Sequence, residues 1–193
     1  YRAGDRGFAA HPRYREWWRS NVREAVSLAG DVGCANLNVL TGYFDPVLPE
    51  DEQQECLVEN LRWAVPLAAK QGVTLLLEPL NEKTHAGYVC TNVRGAIELI
   101  DQVGADNMGI QFDFFQMGGA EGSDRALDIL AESAEYVRHI QVADPPDRGA
   151  PGTGHLDYAK IFAVLKETYV GYVGLEYFPD PQDPFGWLSK YDI

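Results

Sequence analysis

The stretch "VTLLLEPLN" (residues 73–81) places an apolar run directly before a glutamate and a proline. The run is too short for a helix and does not alternate between apolar and polar residues. Both features are typical of a parallel strand that is covered on both faces. The pattern therefore predicts a buried strand that carries an acidic group, Glu78, at its carboxyl end.

Similar apolar runs recur along the chain and alternate with helical patterns. The predicted strands cover residues 34–42, 73–78, 107–115, 136–144 and 171–178. The predicted helices cover residues 13–30, 51–71, 92–104, 123–134 and 157–169. Ser123 and Asp157 stand where helix N-caps are expected. Regular alternation of this kind predicts an α/β fold with a parallel sheet and right-handed crossovers.

Four of the predicted strands place an oxygen-bearing side chain at or near their carboxyl ends. These side chains are Glu78, Asp113, Gln141 and Glu176. They follow one another at intervals of about one β-α unit, and the carboxyl edge of a parallel α/β sheet is where functional sites lie. One acidic residue there is explained by a solvated strand end or an N-cap, whereas four in register favour a site.

Three carboxylates and an amide oxygen at one edge predict a divalent metal site. Carboxylates that converge without a counter-ion repel each other, and a cation removes that cost. An all-oxygen ligand set suits Mg²⁺ or Mn²⁺. Such an ion polarises a carbonyl and its neighbouring hydroxyl, so that a nearby carboxylate can move a proton between adjacent carbons.

Composition excludes several classes of function. The chain has 193 residues and a formal charge of −13, which argues against a nucleic-acid partner. Apolar and charged fractions of 46% and 23% favour one globular domain over residues 1–193. Neither a signal peptide nor a membrane span is recognisable. Three widely spaced cysteines favour free thiols in a reducing, cytoplasmic compartment; they are Cys34, Cys56 and Cys90.

Four segments carry a specific resemblance to a known family. They are "LLLEPLN" (75–81), "QFDFFQM" (111–117), "RHIQVADPPDRGAPGTGHLDY" (138–158) and "GYVGLEYFP" (171–179). Together they resemble the hydroxypyruvate isomerase family of the xylose-isomerase-like TIM-barrel superfamily, from about residue 3 to about residue 188. That superfamily also contains 2-oxo-tetronate isomerases, ketose 3-epimerases and endonuclease IV.

The resemblance implies a fold, an activity and roles for individual residues. It implies a (β/α)8 TIM barrel and a metal-dependent isomerase that interconverts small hydroxy-aldehyde/2-oxo acid or aldose/ketose substrates through an enediol. The implied metal ligands are Glu78, Asp113, Gln141 and Glu176. Glu78 and Glu176 would also exchange the substrate proton, which makes them the catalytic pair. Arg148 resembles the family's substrate-binding arginine, the alternative being a solvated loop arginine.

Gln116 departs from the family pattern. Members usually read D-x-x-H after the metal aspartate, whereas this chain has Gln116 in place of the histidine. Glutamine can donate a hydrogen bond to a substrate but carries no positive charge. The alternative function is therefore a sugar- or cyclitol-binding or regulatory protein of the same fold without turnover. Asn81, just after Glu78, either touches substrate or caps a turn.

The remaining expectations concern partners and completeness. An endonuclease-IV-like enzyme would need a histidine-rich trinuclear zinc site, and four scattered histidines with a charge of −13 argue against it. The expected partner is a small hydroxy-carbonyl molecule, and a homo-oligomer stays open. Five predicted strands, where a barrel needs eight, indicate that the chain supplies about the fourth to the eighth strand and lacks the N-terminal third. His139 faces the same way as Gln141, either as a hydrogen-bonded core histidine or as a donor behind the site.

Overall fold

The computed structural model describes residues 6–191, which form five parallel strands and six α-helices. The strands are β1 (Asn36–Val39), β2 (Thr74–Leu77), β3 (Met108–Asp113), β4 (Val137–Val142) and β5 (Val173–Leu175). The helices are α1 (Arg15–Val32), α2 (Glu50–Lys70), α3 (Val93–Val103), α4 (Phe114–Glu121), α5 (Ser123–Glu132) and α6 (Tyr158–Thr168). Two 3₁₀ helices cover Pro12–Tyr14 and Gly186–Lys190. The chain divides into two compact units, Tyr1–Gln111 and Phe112–Ile193.

The first unit is built on parallel pairing of β1 with β2 and of β2 with β3. Leu37 lies opposite Leu75, and Leu76 lies opposite Gly109. One stripe of α2 is fully buried, at helical spacing; it consists of Leu57, Leu61, Ala64 and Ala68. Three residues of β2 are buried as well, as expected for a strand covered on both faces. This packing fixes the position of the carboxyl end of β2, and therefore that of Glu78, which follows directly.

The second unit contains the parallel pair β4 and β5, in which Gln141 lies opposite Gly174. Helix α6 buries one face through Tyr158, Ile161, Phe162 and Leu165. Its N-cap is Asp157, whose side chain accepts a hydrogen bond from the Lys160 N–H, as predicted. The packing of α6 holds the loop between β4 and α6 at the carboxyl end of β4.

Two predictions of local structure are wrong. The strand predicted over residues 107–115 ends at Asp113, and helix α4 begins at the next residue. Asp113 Oδ1 accepts a hydrogen bond from the Phe115 N–H at 2.8 Å and so caps this helix. Ser123 is not an N-cap, because Gly122 (φ 82°) occupies that position. The Ser123 hydroxyl instead accepts a hydrogen bond from the Asp157 N–H at 2.8 Å.

The order and number of the five predicted strands are confirmed, although each is shorter at its ends than predicted. All three cysteines are free thiols. Across residues 6–191, the search for a helix both long enough and apolar enough to cross a membrane found none. The single domain over residues 1–193 and the missing N-terminal third both stay predictions.

Candidate active site

In the first unit, Glu78 follows β2 directly and is 7% exposed. Asn38, on the neighbouring strand β1, donates from Nδ2 to Glu78 Oε2 at 2.6 Å. The parallel register places Asn38 opposite Leu76, two residues before Glu78, so the amide reaches forward to the strand end. A buried carboxylate needs hydrogen-bond donors, and Asn38 supplies one without adding a charge.

Asn81 caps the turn that follows Glu78. Its Oδ1 accepts from the Lys83 N–H at 2.9 Å, and its carbonyl oxygen accepts from the N–H groups of Thr84 and His85 at 3.0 and 2.8 Å. The side chain is 7% exposed. Of the two alternatives for Asn81, the turn cap is therefore present, and contact with substrate stays a prediction.

A buried thiol lies in the same part of the first unit. Cys90 is 2% exposed, and burial raises its pKa to about 12, with a smaller contribution from the negative charge of Glu78. At neutral pH the thiol is therefore protonated and unreactive. Cys90 contributes an apolar wall near the carboxylate rather than a nucleophile.

In the second unit, Asp113 is the last residue of β3 and is 1% exposed. Its Oδ1 is engaged by the α4 N-terminus, while its Oδ2 is buried and accepts no hydrogen bond from any residue of 6–191. The pKa of Asp113 is raised to about 7, mainly by burial; the Phe115 N–H and Arg148 oppose this rise, and the negative charge of Glu176 adds to it. A buried carboxylate oxygen without a donor is what a cation would satisfy.

Arg148 joins Asp113 to Glu176. Its guanidinium lies 2.6 Å from Glu176 Oε1 and 3.7 Å from Asp113 Oδ2, and its Nε donates to the Glu176 carbonyl oxygen at 2.9 Å. The guanidinium also stacks 4.8 Å from the centre of the Phe115 ring. Carboxylate oxygens of Asp113 and Glu176 lie within 4.8 Å of each other. Arg148 is therefore an ordered part of an acidic cluster and not a solvated loop arginine.

Gln141 and His139 lie on one face of β4. A Cβ placed on Gly174 of β5 would lie 3.1 Å from Gln141 Cγ and 2.8 Å from His139 Nε2. Both side chains therefore occupy the space that Gly174 leaves free, as expected from their spacing of two residues. Burial lowers the pKa of His139, which favours the neutral ring at physiological pH.

Gln116 lies in α4, three residues after Asp113, and is 2% exposed. A buried amide must have its hydrogen bonds satisfied, so its position is fixed by its surroundings. The structure places Asp113, Arg148 and Glu176 together, and it places Gln141, Glu78 and Gln116 at strand ends or just beyond them. That these groups hold a metal ion or contact a substrate stays a prediction.

Sequence reasoning missed Asn38 and Phe115. Asparagine is depleted in strands, so an Asn in the middle of "NLNV" was a signal that its amide has a specific partner. Phe115 had no comparable signal, because its ring contact with Arg148 depends on the unpredicted helix α4. Asp144, which follows β4 after one further residue, was also missed.

Comparison with known proteins gives consistent matches over nearly the whole chain. The family model described as xylose isomerase-like TIM barrel matches residues 3–191. The hydroxypyruvate isomerase of Escherichia coli K12 is 36% identical over 192 residues, which cover 98% of this chain and 74% of that protein. The 2-oxo-tetronate isomerase of Cupriavidus necator is 33% identical over 192 residues, covering 98% of this chain and 73% of that protein.

A solved structure shares the fold closely. The crystal structure of an AP endonuclease, family 2, from Brucella melitensis has a TM-score of 0.88 and 30% sequence identity. The alignment covers 97% of this chain and 73% of that chain. The α/β organisation described above is therefore that of a TIM-barrel-like fold.

Proposed function

Because the chain belongs to the xylose isomerase-like TIM-barrel family, we propose that it is an isomerase acting on a small hydroxy-carbonyl substrate. The hydroxypyruvate isomerase and the 2-oxo-tetronate isomerase that it resembles are enzymes of this kind. The observation that carries the proposal is the cluster of Asp113, Arg148 and Glu176 at the carboxyl ends of β3 and β5. This is the edge at which barrels of this fold carry their chemistry.

The proposed cofactor is a divalent ion, Mg²⁺ or Mn²⁺, held by four oxygen ligands: Glu78, Asp113, Gln141 and Glu176. The donor set fits, because it is all oxygen and because Asp113 keeps a buried Oδ2 without a hydrogen-bond donor among residues 6–191. The raised pKa of Asp113 indicates that its charge lacks full compensation in the protein alone. When bound, the ion would polarise the carbonyl and hydroxyl groups of the substrate.

Glu78 and Glu176 are the proposed proton carriers. One carboxylate removes a proton from the carbon beside the carbonyl, and that C–H electron pair becomes the double bond of an enediol as the carbonyl oxygen takes up a proton. Return of a proton to the neighbouring carbon, with loss of one from the hydroxyl, gives the isomer. Asn38 holds Glu78 in place, and Arg148 holds Glu176.

Three further side chains are proposed to contact the substrate: Arg148, Gln116 and Asn81. Arg148 is the group suited to a substrate carboxylate, because its guanidinium can form two parallel hydrogen bonds. Its side chain is 22% exposed, so Arg148 is partly accessible from solvent. This favours a 2-oxo acid over an uncharged ketose.

A small-molecule substrate and a cytoplasmic location complete the proposal. The competing function is a binding or regulatory protein that keeps the metal ligands without turnover. The buried Gln116 in place of the family histidine favours it, since glutamine cannot act as a general acid. The two functions differ in one observable, namely chemical conversion of the bound molecule.

The test is an activity panel combined with metal analysis. The purified protein is dialysed, loaded with Mg²⁺ or Mn²⁺, and assayed by NMR with hydroxypyruvate, a 2-oxo-tetronate and a ketose. The proposal expects a single ion per chain and turnover of the 2-oxo acids above the ketose. Saturable binding of these compounds without conversion, by protein that holds its ion, would favour the binding protein instead.

A further inference from the structure

The loop between β4 and α6 is organised by one buried carboxylate, that of Asp144. Asp144 lies just beyond the strand end and is 1% exposed. Its Oδ2 accepts hydrogen bonds from the N–H groups of Gly152 and Gly154, both at 2.9 Å, and its Oδ1 accepts from the Leu156 N–H at 3.1 Å. Hydrogen bonds from three backbone N–H groups to one carboxylate are charge-assisted, and such bonds are stronger than those between neutral groups. They hold the far half of the loop, residues 152–156, against Asp144 at the start of the loop.

The near half of the loop is closed at the same residue. The Asp144 N–H donates to the Gly149 carbonyl oxygen at 2.8 Å, and the Gly149 N–H donates back to the Asp144 carbonyl oxygen at 3.0 Å. Arg148 lies inside this closed turn with φ of 54°, in the left-handed region. That conformation costs a non-glycine residue roughly 1 kcal/mol or more, so the surrounding bonds must hold it.

Gly154 shows how closely the loop is wrapped around Asp144. A Cβ at position 154 would lie 2.5 Å from Asp144 Oδ1 and would also clash with the Pro145 carbonyl oxygen. Glycine is therefore required for the backbone to approach the carboxylate. The "GTG" at residues 152–154 is thus explained by the internal carboxylate of Asp144.

The loop in turn determines where Arg148 lies. The Arg148 carbonyl oxygen accepts from the Phe178 N–H at 2.8 Å, and its Nε donates to the Glu176 carbonyl oxygen at 2.9 Å. Arg148 is therefore held from two sides, by the turn that Asp144 closes and by the segment that follows β5. Release of either side would let the guanidinium leave Glu176 Oε1.

We propose that Asp144 is a positioning residue that places the Arg148 guanidinium on Glu176 and, through it, on the substrate. Asp144 acts through the backbone of its own loop. The kinetic part of this inference rests on the proposed function, because it assumes that Arg148 binds a substrate carboxylate. The structural part, the placement of Arg148, is independent of any activity.

The primary variant is Asp144→Asn, which keeps the size of the side chain but replaces one oxygen by an N–H donor. That donor would face a backbone N–H, so at least one of the three bonds is lost. Loss of a hydrogen bond to a charged group should lower kcat/KM by about 10- to 100-fold, mainly through a higher KM. Thr153→Ala is the matched control, because Thr153 is in the same loop and its hydroxyl donates to the Ala150 carbonyl oxygen.

A double-mutant cycle with Arg148→Ala separates positioning from general damage. If Asp144 acts through Arg148, Asp144→Asn should change kcat/KM by less than about threefold in the Arg148→Ala background. Equal losses in both backgrounds would overturn the proposal. If Asp144→Asn does not fold, Gly152→Ala is used in the same cycle, since alanine is strained at φ of 84° and meets Tyr191, which displaces the Gly152 donor and leaves the carboxylate in place.

An NMR readout keeps the test independent of catalysis. The ¹⁵N-coupled Nε–H signal of Arg148 should be sharp and slow to exchange in the wild type and in Thr153→Ala, and broadened or absent in Asp144→Asn. An unchanged signal in Asp144→Asn would overturn the inference. A wild type without turnover but with this pattern would instead reject the proposed function and leave the positioning role supported.

Discussion

Glu78 and Glu176 both follow a parallel strand, yet their surroundings differ. Glu78 is 7% exposed and accepts a 2.6 Å hydrogen bond from the neutral amide of Asn38. The Glu176 side chain is 45% exposed and lies 2.6 Å from the cationic guanidinium of Arg148. Two residues proposed for one proton exchange thus depend on different partners. The position at a strand end sets where a carboxylate lies, and its neighbours set how its charge is balanced.

The largest expected effect comes from removing either carboxylate. Glu78→Gln and Glu176→Gln should each lower kcat by about 10²- to 10⁴-fold or more, because an amide cannot accept the substrate proton. The two variants should differ in KM. The new amide at position 78 can still accept from Asn38, whereas the one at position 176 loses the charge pair with Arg148. KM should therefore rise more for Glu176→Gln than for Glu78→Gln, and steady-state kinetics with hydroxypyruvate measures both constants.

The control for this pair is the fold of each variant. Circular dichroism and thermal unfolding should match the wild type within a few degrees, because both substitutions preserve side-chain size. Near wild-type turnover in either folded variant would remove that glutamate from the mechanism.

Asp113 allows a pH test on the Arg148 side of the comparison. Its pKa is raised from 3.8 to about 7, mainly by burial. Between these values the folded state binds more protons than the unfolded state, so stability falls as pH rises and levels off above about pH 7. Metal-free protein should lose about 3 kcal/mol of unfolding free energy between pH 5 and pH 8 from this group. Denaturant unfolding across that range measures the loss.

Asp113→Asn isolates this contribution. Asparagine can still accept the Phe115 N–H and cap α4, but it does not titrate. The difference between wild type and variant should therefore carry the pH dependence described above. Parallel stability curves for the two proteins would show that the Asp113 charge is compensated.

Asn38→Ala tests the Glu78 side of the comparison. Loss of a hydrogen bond to a buried carboxylate costs about 1.5 to 3 kcal/mol, so kcat/KM should fall roughly 10- to 100-fold. Asn36→Ala is the matched control, being two residues earlier on the same face of β1. Equal kinetics for the two variants would show that Asn38 does not orient Glu78.

The smallest expected effect is a change of preference at position 116. Gln116→His restores the residue that the family pattern carries and should shift relative kcat/KM toward hydroxypyruvate by about fivefold, the size of one hydrogen bond. Competition assays with hydroxypyruvate, 2-oxo-tetronates and ketoses measure the ratio. An unchanged ratio would mean that position 116 does not contact the substrate.

The contrast between the strand-end position of a carboxylate and its neighbouring groups also separates what was predictable from the sequence from what was not. The strands and their terminal groups were predictable, because apolar runs and chain alternation fix a parallel sheet and its edge. The proximity of Asp113 and Glu176 was part of that prediction. Helix α4 was not predictable, because "DFFQM" (113–117) has the apolar pattern of a continuing strand. Only the structure shows that Asp113 caps a helix that begins at the next residue. The roles of Asn38 and Asp144 depend on pairing register and loop closure, which one sequence leaves open.

Exchange of a carbon-bound substrate proton with solvent tests the central claim most directly. Wild-type protein loaded with Mn²⁺ or Mg²⁺ is incubated with hydroxypyruvate in D₂O, and the methylene signal is followed by NMR. An enediol isomerase with Glu78 and Glu176 as proton carriers should replace those protons by deuterium, and the Glu→Gln variant that lacks the carboxylate acting on the methylene carbon should not do so above the uncatalysed rate. Binding of hydroxypyruvate by wild-type protein without deuterium incorporation or isomer formation would contradict the account.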